Sequence, residues 1–441
     1  MRGRVMCVVL CLLAAPAASL AQQPYNLAVQ VDHLASIFTE LYGPNGLVVD
    51  STAALAGGQS HSGHFTSGFE SEFSQFGTAL TSQIVSLPLP SPASGFTYEF
   101  DPGLGVFTRT TNSFGPILAE RAETIGAKRM SVGFAFQSLT FDTIEGVDLS
   151  LVPAVFSHDS AELRGGREDV VTTVNAISAK VKRFTGFLTY GVTNRLDVSL
   201  ALPVVSNDLR VVSDATIQRI GTTVPEIHFF RATDDSVGNR RIFTALGSAT
   251  GLGDIAIRLK QTLAKRRTGG FALGLDLRLP TGNEEDLLGT GATGLQPFAI
   301  WSATYGPFSP HVNVGYQWNG SSVLAGPPGA GESEDLPDVA IYTVGTDLAV
   351  SSRLTVAFEL LGRYVIDSPR MRREDFHALD GQSVFPTITF TTGSFNELSG
   401  AAGFKLNLAG QVLLDLNVLF RLNNAGLRDK IAPLVGLEYT F

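Results

Sequence analysis

The sequence predicts an all-β protein, a transmembrane antiparallel β-barrel of about twelve strands, and three observations predict it. From about Arg129 to the C-terminus the chain divides into segments of alternating apolar and polar residues, each near the ~10-residue length of outer-membrane strands. The connections between those segments are alternately short and long. The chain also ends on an alternating strand whose last residue is Phe441.

Val412 to Leu422 shows the alternation most plainly. Val412, Leu414, Leu416, Val418, Phe420 and Leu422 share one face, with Asp415, Asn417 and Arg421 on the other, because strand side chains alternate with period two. A soluble sandwich alternates too, so the connections decide. Short turns are read near 191–195, 265–269, 305–309, 350–353 and 408–411, and long connections at 143–167, 212–251, 281–293, 320–336, 367–393 and 423–430. The two kinds interleave as in bacterial outer-membrane barrels, whose periplasmic turns are short and external loops longer. An even strand count with both chain ends in the periplasm follows. Phe96 to Phe100 and Val106 to Thr110 flank an Asp101-Pro102-Gly103 turn and read as a hairpin that would raise the count to about fourteen.

Residues 1–21 read as a secretory signal peptide. Arg2 and Arg4 form its basic region, Val5 to Leu13 its apolar region, and Ser19-Leu20-Ala21 a small-x-small cleavage site. The mature chain is expected to begin near Gln22 and to carry no thiol, since Cys7 and Cys11 both precede it. A lipoprotein signal is rejected because Leu10 stands where such signals place a small residue. Past residue 21 no apolar run reaches the ~18 residues of a transmembrane helix, so a closed barrel is the remaining way across a bilayer. The 44% hydrophobic and 17% charged composition suits a large soluble β protein equally well and decides nothing. The formal charge of −9 becomes about −11 without Arg2 and Arg4, and nucleic acid is not an expected partner. The acids Glu284, Glu285 and Asp286, and Glu332, Glu334, Asp335 and Asp338, read as solvated loop charge rather than cation sites shared with lipopolysaccharide.

Residues 129–441 form the expected barrel. If the apolar strand faces meet lipid, the opposite faces line the lumen. The lumen-lining candidates are Asp197, Asp254, Arg258, Lys260, Asp276, Arg278, His311, Asn313, Gln317, Glu359, Arg363, Asp415, Asn417 and Arg421. Acids and bases on neighbouring strands suggest a lumen cross-linked by ion pairs as readily as one that contacts a substrate. Trp301, Tyr305, Tyr316, Trp318, Tyr364 and Tyr439 are candidates for the interfacial aromatic girdles. In the last strand Ile431, Val435, Leu437, Tyr439 and Phe441 share a face. Leu437, Tyr439 and the terminal Phe441 resemble the signal that such barrels present to the outer-membrane assembly machinery, an expected partner together with outer-membrane lipids.

Residues 22–128 read differently. Phe65, Phe69, Phe73, Phe76, Leu80 and Ile84 recur at helical spacing, and Val31, Leu34, Ile37, Phe38 and Leu41 suggest a shorter helix. Pro88, Pro90 and Pro92 then mark an extended linker. This helical and irregular subdomain would be a hatch inside the barrel or a body on its periplasmic rim. Its apolar side chains, Phe65, Phe69, Phe73, Phe76 and Leu80 foremost, would contact an apolar ligand or merely pack the subdomain.

Several stretches carry a family resemblance: Tyr190-Gly191-Val192-Thr193-Asn194-Arg195-Leu196-Asp197-Val198, Gly251-Leu252-Gly253-Asp254 followed by Arg258 and Lys260, and Leu279-Pro280-Thr281-Gly282. Leu288-Gly289-Thr290-Gly291 and then His311, Asn313, Gly315 and Tyr316 continue the series. In this order they resemble the meta-pathway phenol-degradation family of outer-membrane proteins, over roughly Arg129 to Phe441. That family is grouped with transporters of the long-chain fatty-acid type, which admit hydrophobic compounds through a barrel with an N-terminal hatch. The resemblance implies passive uptake of small hydrophobic or aromatic compounds.

Other motifs carry no chemistry. Gly289-x-Gly291-x-x-Gly294 matches the dinucleotide pattern but lies between two β segments, with no helix to bind an anion. His61-x-x-His64 has no third ligand nearby and reads as a Gly/Ser-rich loop. His311, Asn313, Asn319, Ser321 and Ser322 invite comparison with an outer-membrane phospholipase, yet alternation turns His311 and Asn313 away from lipid. The reading is therefore a non-enzymatic channel or transporter in the bacterial outer membrane, needing no cofactor and no metal. A structural or adhesive barrel with partner-binding loops is the second reading and a lipid hydrolase the third.

Overall fold

The computed structural model describes residues 26–43, 47, 49–50, 83, 95–101, 106–109, 111–157, 169–220, 228–231, 236–266, 268–326 and 332–441. The expected signal peptide, the phenylalanine stripe from Phe65 to Leu80 and the His61/His64 pair lie outside the described residues. Among the described residues twelve strands close into an antiparallel barrel: β1 (Met130–Ile144), β2 (Val170–Gly191), β3 (Leu196–Gln218), β4 in two pieces (Arg240–Leu252 and Ile255–Arg266), β5 (Gly269–Leu279) and β6 (Gly294–Ala303). The circle continues through β7 (Phe308–Asn319), β8 (Val339–Ala349), β9 (Leu354–His377), β10 (Val384–Ala409), β11 (Val412–Arg421) and β12 (Ile431–Thr440). Each pairs with the next, and β12 pairs back onto β1 from Leu434↔Gln137 to Thr440↔Ser131. Closure leaves no unpaired edge within lipid, which is what the bilayer demands.

The wall is cut to the membrane by its sequence. On β3 the outward residues Leu196, Val198, Leu200, Leu202 and Val204 are apolar, and Ser206, Asp208 and Arg210 follow them on the same face. On β2 the outward Leu188 and Phe184 give way to Lys182 and Lys180 at the same height, since Phe184 pairs Val204 and Lys180 pairs Asp208. The lipid boundary therefore crosses both strands at one level. Above it the faces exchange character: the buried inward residues become Ala179, Val181, Leu209 and Val211. In the membrane the apolar face is outside; beyond it the apolar face is inside.

That exchange corrects two loop assignments. Much of 212–251 is strand, with β3 running to Gln218 and β4 starting at Arg240, and 367–393 is mostly the β9–β10 hairpin turning at 378–383. Within 143–167 the strand Val152–Ser157 folds back onto β2. The hairpin Tyr98–Asp101 with Val106–Arg109 does form, but as its own two-stranded sheet, so the barrel keeps twelve strands.

The N-terminal helix expected over Val31 to Leu41 is corrected to a single 3-10 turn, Leu34–Ser36. Its apolar residues are nonetheless buried. Val31, Leu34, Ile37, Phe38 and Leu41 join Leu209, Val211, Phe243 and Phe156 in the largest apolar core, inside the extracellular half of the barrel. Packing against the surrounding wall, rather than a helical stripe, accounts for their spacing. Just before them Asn26–Gln30 adds in parallel to β4, from Asn26↔Ile242 to Gln30↔Leu246. β5 reaches only as far as Ile255, so this short strand covers an edge of β4 that would otherwise stand open.

Candidate functional site

Residues 111–128 cross the periplasmic half of the lumen without regular structure. Pro116, Gly115 and Gly126 interrupt the segment, and the two glycines have φ of 82° and 99°. A backbone buried in this way must pair its N–H groups, and here barrel side chains supply the acceptors. Phe114 N donates to Thr355 Oγ1 (2.9 Å), Ile117 N and Leu118 N to Glu359 (2.5 and 3.0 Å), Glu120 N to Asn313 Oδ1 (2.6 Å), Ala122 N to Ser302 Oγ (3.0 Å) and Ile125 N to Asp197 Oδ2 (3.1 Å). The segment is thus tied to β9, β7, β6 and β3 in turn. Gly95 N donates to Glu438 Oε2 at 2.8 Å, and the buried Arg121 donates back to Gly95 O at 2.8 Å.

The charges of the segment are answered from the wall as well. Glu120 lies against Arg258 (2.5 Å) and Lys260 (3.1 Å), and Arg258 also forms a forked pair with Asp276 at 2.6 and 2.5 Å. Such bidentate pairs are strong and fix geometry. His311 is buried between Asp347 (3.4 Å) and Glu359 (3.6 Å), and Ser113 Oγ bonds Asp347. His311 faces the lumen, and Asn313 holds the backbone of Glu120 from both sides, a placement opposite to what a lipid-facing hydrolase requires.

The remaining lumen candidates fall into two groups. Asp197, Asp254, Arg278, Gln317 and Arg363 stand beside those just described, with Arg363 paired to Glu397 at 2.7 Å. Asp415 lies 4.0 Å from Lys405 beside Asn417, lower on β11, while Arg421 reaches Asp142 and Thr143 at 2.7 Å near the extracellular end. Sequence reasoning missed Glu120, whose partners are distant in sequence, Arg121, which bonds Thr111, Ser113 and Gly95 of its own irregular stretch, and Arg183, Glu397 and Glu438, which alternation along β2, β10 and β12 places on the lumenal face.

Asp254 sits in the gap between the two pieces of β4, where it accepts from Gly282 N (3.1 Å), Thr290 N (2.8 Å) and Thr290 Oγ1 (2.6 Å). These bonds draw connection 281–293 inward. The stretch read as a simple external bend therefore brings Leu287, Leu288 and Gly289 over the lumen, and Asn207 Nδ2 donates to Leu287 O at 2.7 Å. Between this loop and Leu118 of the lower segment lies a chamber of about 200 Å³. Its wall is apolar at Val181, Val205, Ile341 and Leu361, and charged at Arg183, Arg258, Arg278, Arg363, Asp254 and Asp276.

Above the chamber the apolar core closes the extracellular side. Tyr42 packs edge-on against Phe156 and Phe243 (5.3 and 5.0 Å), and its hydroxyl lies 3.0 Å from Ser213 Oγ. Burial pushes the Tyr42 phenol up from its ordinary value. On the outside Trp301, Tyr305, Trp318, Tyr364 and Tyr439 are exposed, and Tyr439 stacks on Phe441 at 5.6 Å.

No curated protein matches this chain in sequence. Similar solved structures include an outer membrane channel from Pseudomonas putida F1, at 11% identity, 73% coverage of this chain, 98% of that chain and TM-score 0.41. A Pseudomonas aeruginosa FadL homologue follows at 10% identity, 71% and 90% coverage and 0.31, and the CymD monoaromatic hydrocarbon channel at 11%, 71%, 88% and 0.26. The fold rests on the closed strand register itself. The model of the family described as "Putative MetA-pathway of phenol degradation" matches residues 159–362, which contain each motif from Tyr190 to Tyr316 that carried the resemblance.

Proposed function

We propose that this barrel is an outer-membrane channel for passive entry of small hydrophobic or aromatic compounds, with residues 111–128 acting as its plug. The observation that carries the reading is the chamber of about 200 Å³ enclosed between that segment and connection 281–293. Drug-sized ligands occupy pockets of roughly 300–1,000 Å³, so the space suits a single ring or a short chain. Its apolar walls favour such a molecule, and the side-chain acceptors that hold the plug give it bonds that water can replace. Uptake of labelled toluene into outer-membrane vesicles containing the full chain, against empty vesicles, tests it. Saturable entry above the control is expected; entry no faster, from folded protein, overturns it.

One observation favours a second reading, an adhesive barrel. β9 and β10 run 24 and 26 residues, more than twice the ~10 that cross a membrane, and their hairpin exposes Arg372, Arg373, Glu374 and Asp375. Replacing 368–393 by a tight turn abolishes surface attachment under this reading and leaves it unchanged under the first.

A further inference from the structure

We propose that the outer face of β2 and β3, just above the lipid boundary, binds the phosphate groups of lipopolysaccharide through the exposed Lys182, Lys180 and Arg210. The inference is independent of the channel reading. It needs only that the barrel stands in a bacterial outer membrane, where that lipid fills the outer leaflet. β2 descends from Val170 to the short periplasmic turn after Gly191, so the patch lies on the extracellular side. Register gathers the three cations: Lys182 pairs Ser206, Lys180 pairs Asp208 and Ser178 pairs Arg210. These side chains point outward, since the alternate residues Ala179, Val181 and Leu209 are buried inside. Lys180 and Arg210 are diagonal neighbours, ~7–8 Å apart at the backbone, so both long side chains can reach one phosphate. Lys182 and Lys180 stand two and four residues above the lipid-facing Phe184. On a strand rising ~3.4 Å per residue and tilted by ~40° those steps are roughly 5 and 10 Å, which spans the headgroup layer.

The protein does not answer these charges itself. Among the described residues no carboxylate pairs with Lys180, Lys182 or Arg210. Asp208 is the one acid between them and is exposed too, while Asp214, higher on β3, is already held by Arg240. Three bases against one acid leave the patch positive. Hydroxyls surround it. Ser138 and Thr140 of β1 flank Lys182 and Lys180, and Thr250 and Ser248 of β4 flank Ser206 and Asp208. Each can donate to a phosphate oxygen. On the opposite wall the exposed Trp318 of β7 and Tyr364 of β9 stand toward the extracellular side, an aromatic girdle where this side carries cations. Basic side chains at headgroup depth attract anionic lipid, and ammonium and guanidinium donors make strong charge-assisted bonds to phosphate.

The test is lipid binding to the full chain in detergent, read by native mass spectrometry. The probes are bisphosphorylated lipid A, lipid A stripped of its phosphates, and phosphatidylglycerol. Heat-modifiable gel migration establishes that each variant is folded. Wild type is expected to bind bisphosphorylated lipid A about tenfold tighter than the stripped form, the sum of three exposed charge contacts. Combining Lys180→Gln, Lys182→Gln and Arg210→Gln removes that preference, and Lys180→Arg with Lys182→Arg keeps it. Arg372→Gln with Arg373→Gln, on the distant hairpin, leaves it unchanged; an equal loss there reduces the effect to net charge and overturns the site. Equal affinity of wild type for the two forms of lipid A, phosphatidylglycerol bound as tightly as lipid A, or a preference intact in the folded triple variant also overturns it. If the triple variant does not fold, Lys182→Gln and Arg210→Gln singly are each expected to lower the preference about twofold, and no change in either sinks the inference.

Discussion

Glu359→Ala is the sharpest perturbation of the segment across the lumen. The Glu359 carboxylate accepts from Ile117 N at 2.5 Å, Leu118 N at 3.0 Å and Ala119 N at 3.3 Å, so truncation strands three backbone donors at once. A buried donor left unpaired costs ~1–3 kcal/mol. The longest bond is weak and water in the lumen can answer it, so two donors at the lower part of that range give ~2–4 kcal/mol. A shift of ~3 kcal/mol raises the released population by roughly 150-fold. Hydrogen exchange at Ile117 to Ala119 should accelerate accordingly, and planar-bilayer recordings should show openings more often than wild type. Glu359→Gln, which keeps one acceptor oxygen, should fall between. Unchanged exchange at these amides in a folded Glu359→Ala barrel would refute the claim that this carboxylate holds the segment.

Four further outcomes are expected. Gly191→Ala should lower the temperature of heat-modifiable unfolding, because its Cβ would run into the Gly126 carbonyl oxygen and overpacking of this kind costs ~1–3 kcal/mol. His311→Ala should leave lipid hydrolysis in a detergent-phospholipid assay where the wild type has it, and loss of a measurable activity would revive the hydrolase reading. Deleting Phe441 should reduce the heat-modifiable barrel recovered from outer membranes, and an undiminished yield would remove the assembly role of the terminal aromatic. At the hairpin tip the Ser383 hydroxyl and the Ser383 and Gln382 amides hold the Asp380 carboxyl below its ordinary value. That stabilisation is complete above the ordinary value near ~4 and is lost as pH falls through the lower folded one, so exchange at Gln382 and Ser383 should quicken only in that acid window.

The barrel, its strand number and its lumenal charges were legible in the sequence, because in the membrane each strand must be apolar at every second residue and a closed sheet allows no other partner. Arg258, Glu359 and Asp197 could be assigned to the lumen from period-two alternation alone. The strand ends were not legible, since past Val204 the apolar face moves from the outside of β3 to the inside and the single alternating rule breaks. The helix expected at Val31 to Leu41 failed for a related reason: those residues are spaced to meet a surrounding wall, and that wall is built from residues far along the chain. Only the tertiary structure decided that residues 111–128 lie inside the barrel, that Glu120 meets Arg258 and Lys260, and that connection 281–293 turns inward onto Asp254. Each of those depends on contacts between residues distant in sequence, held by hydrogen bonds from irregular backbone to side-chain acceptors or by side-chain ion pairs, and such contacts leave no periodic trace in the sequence.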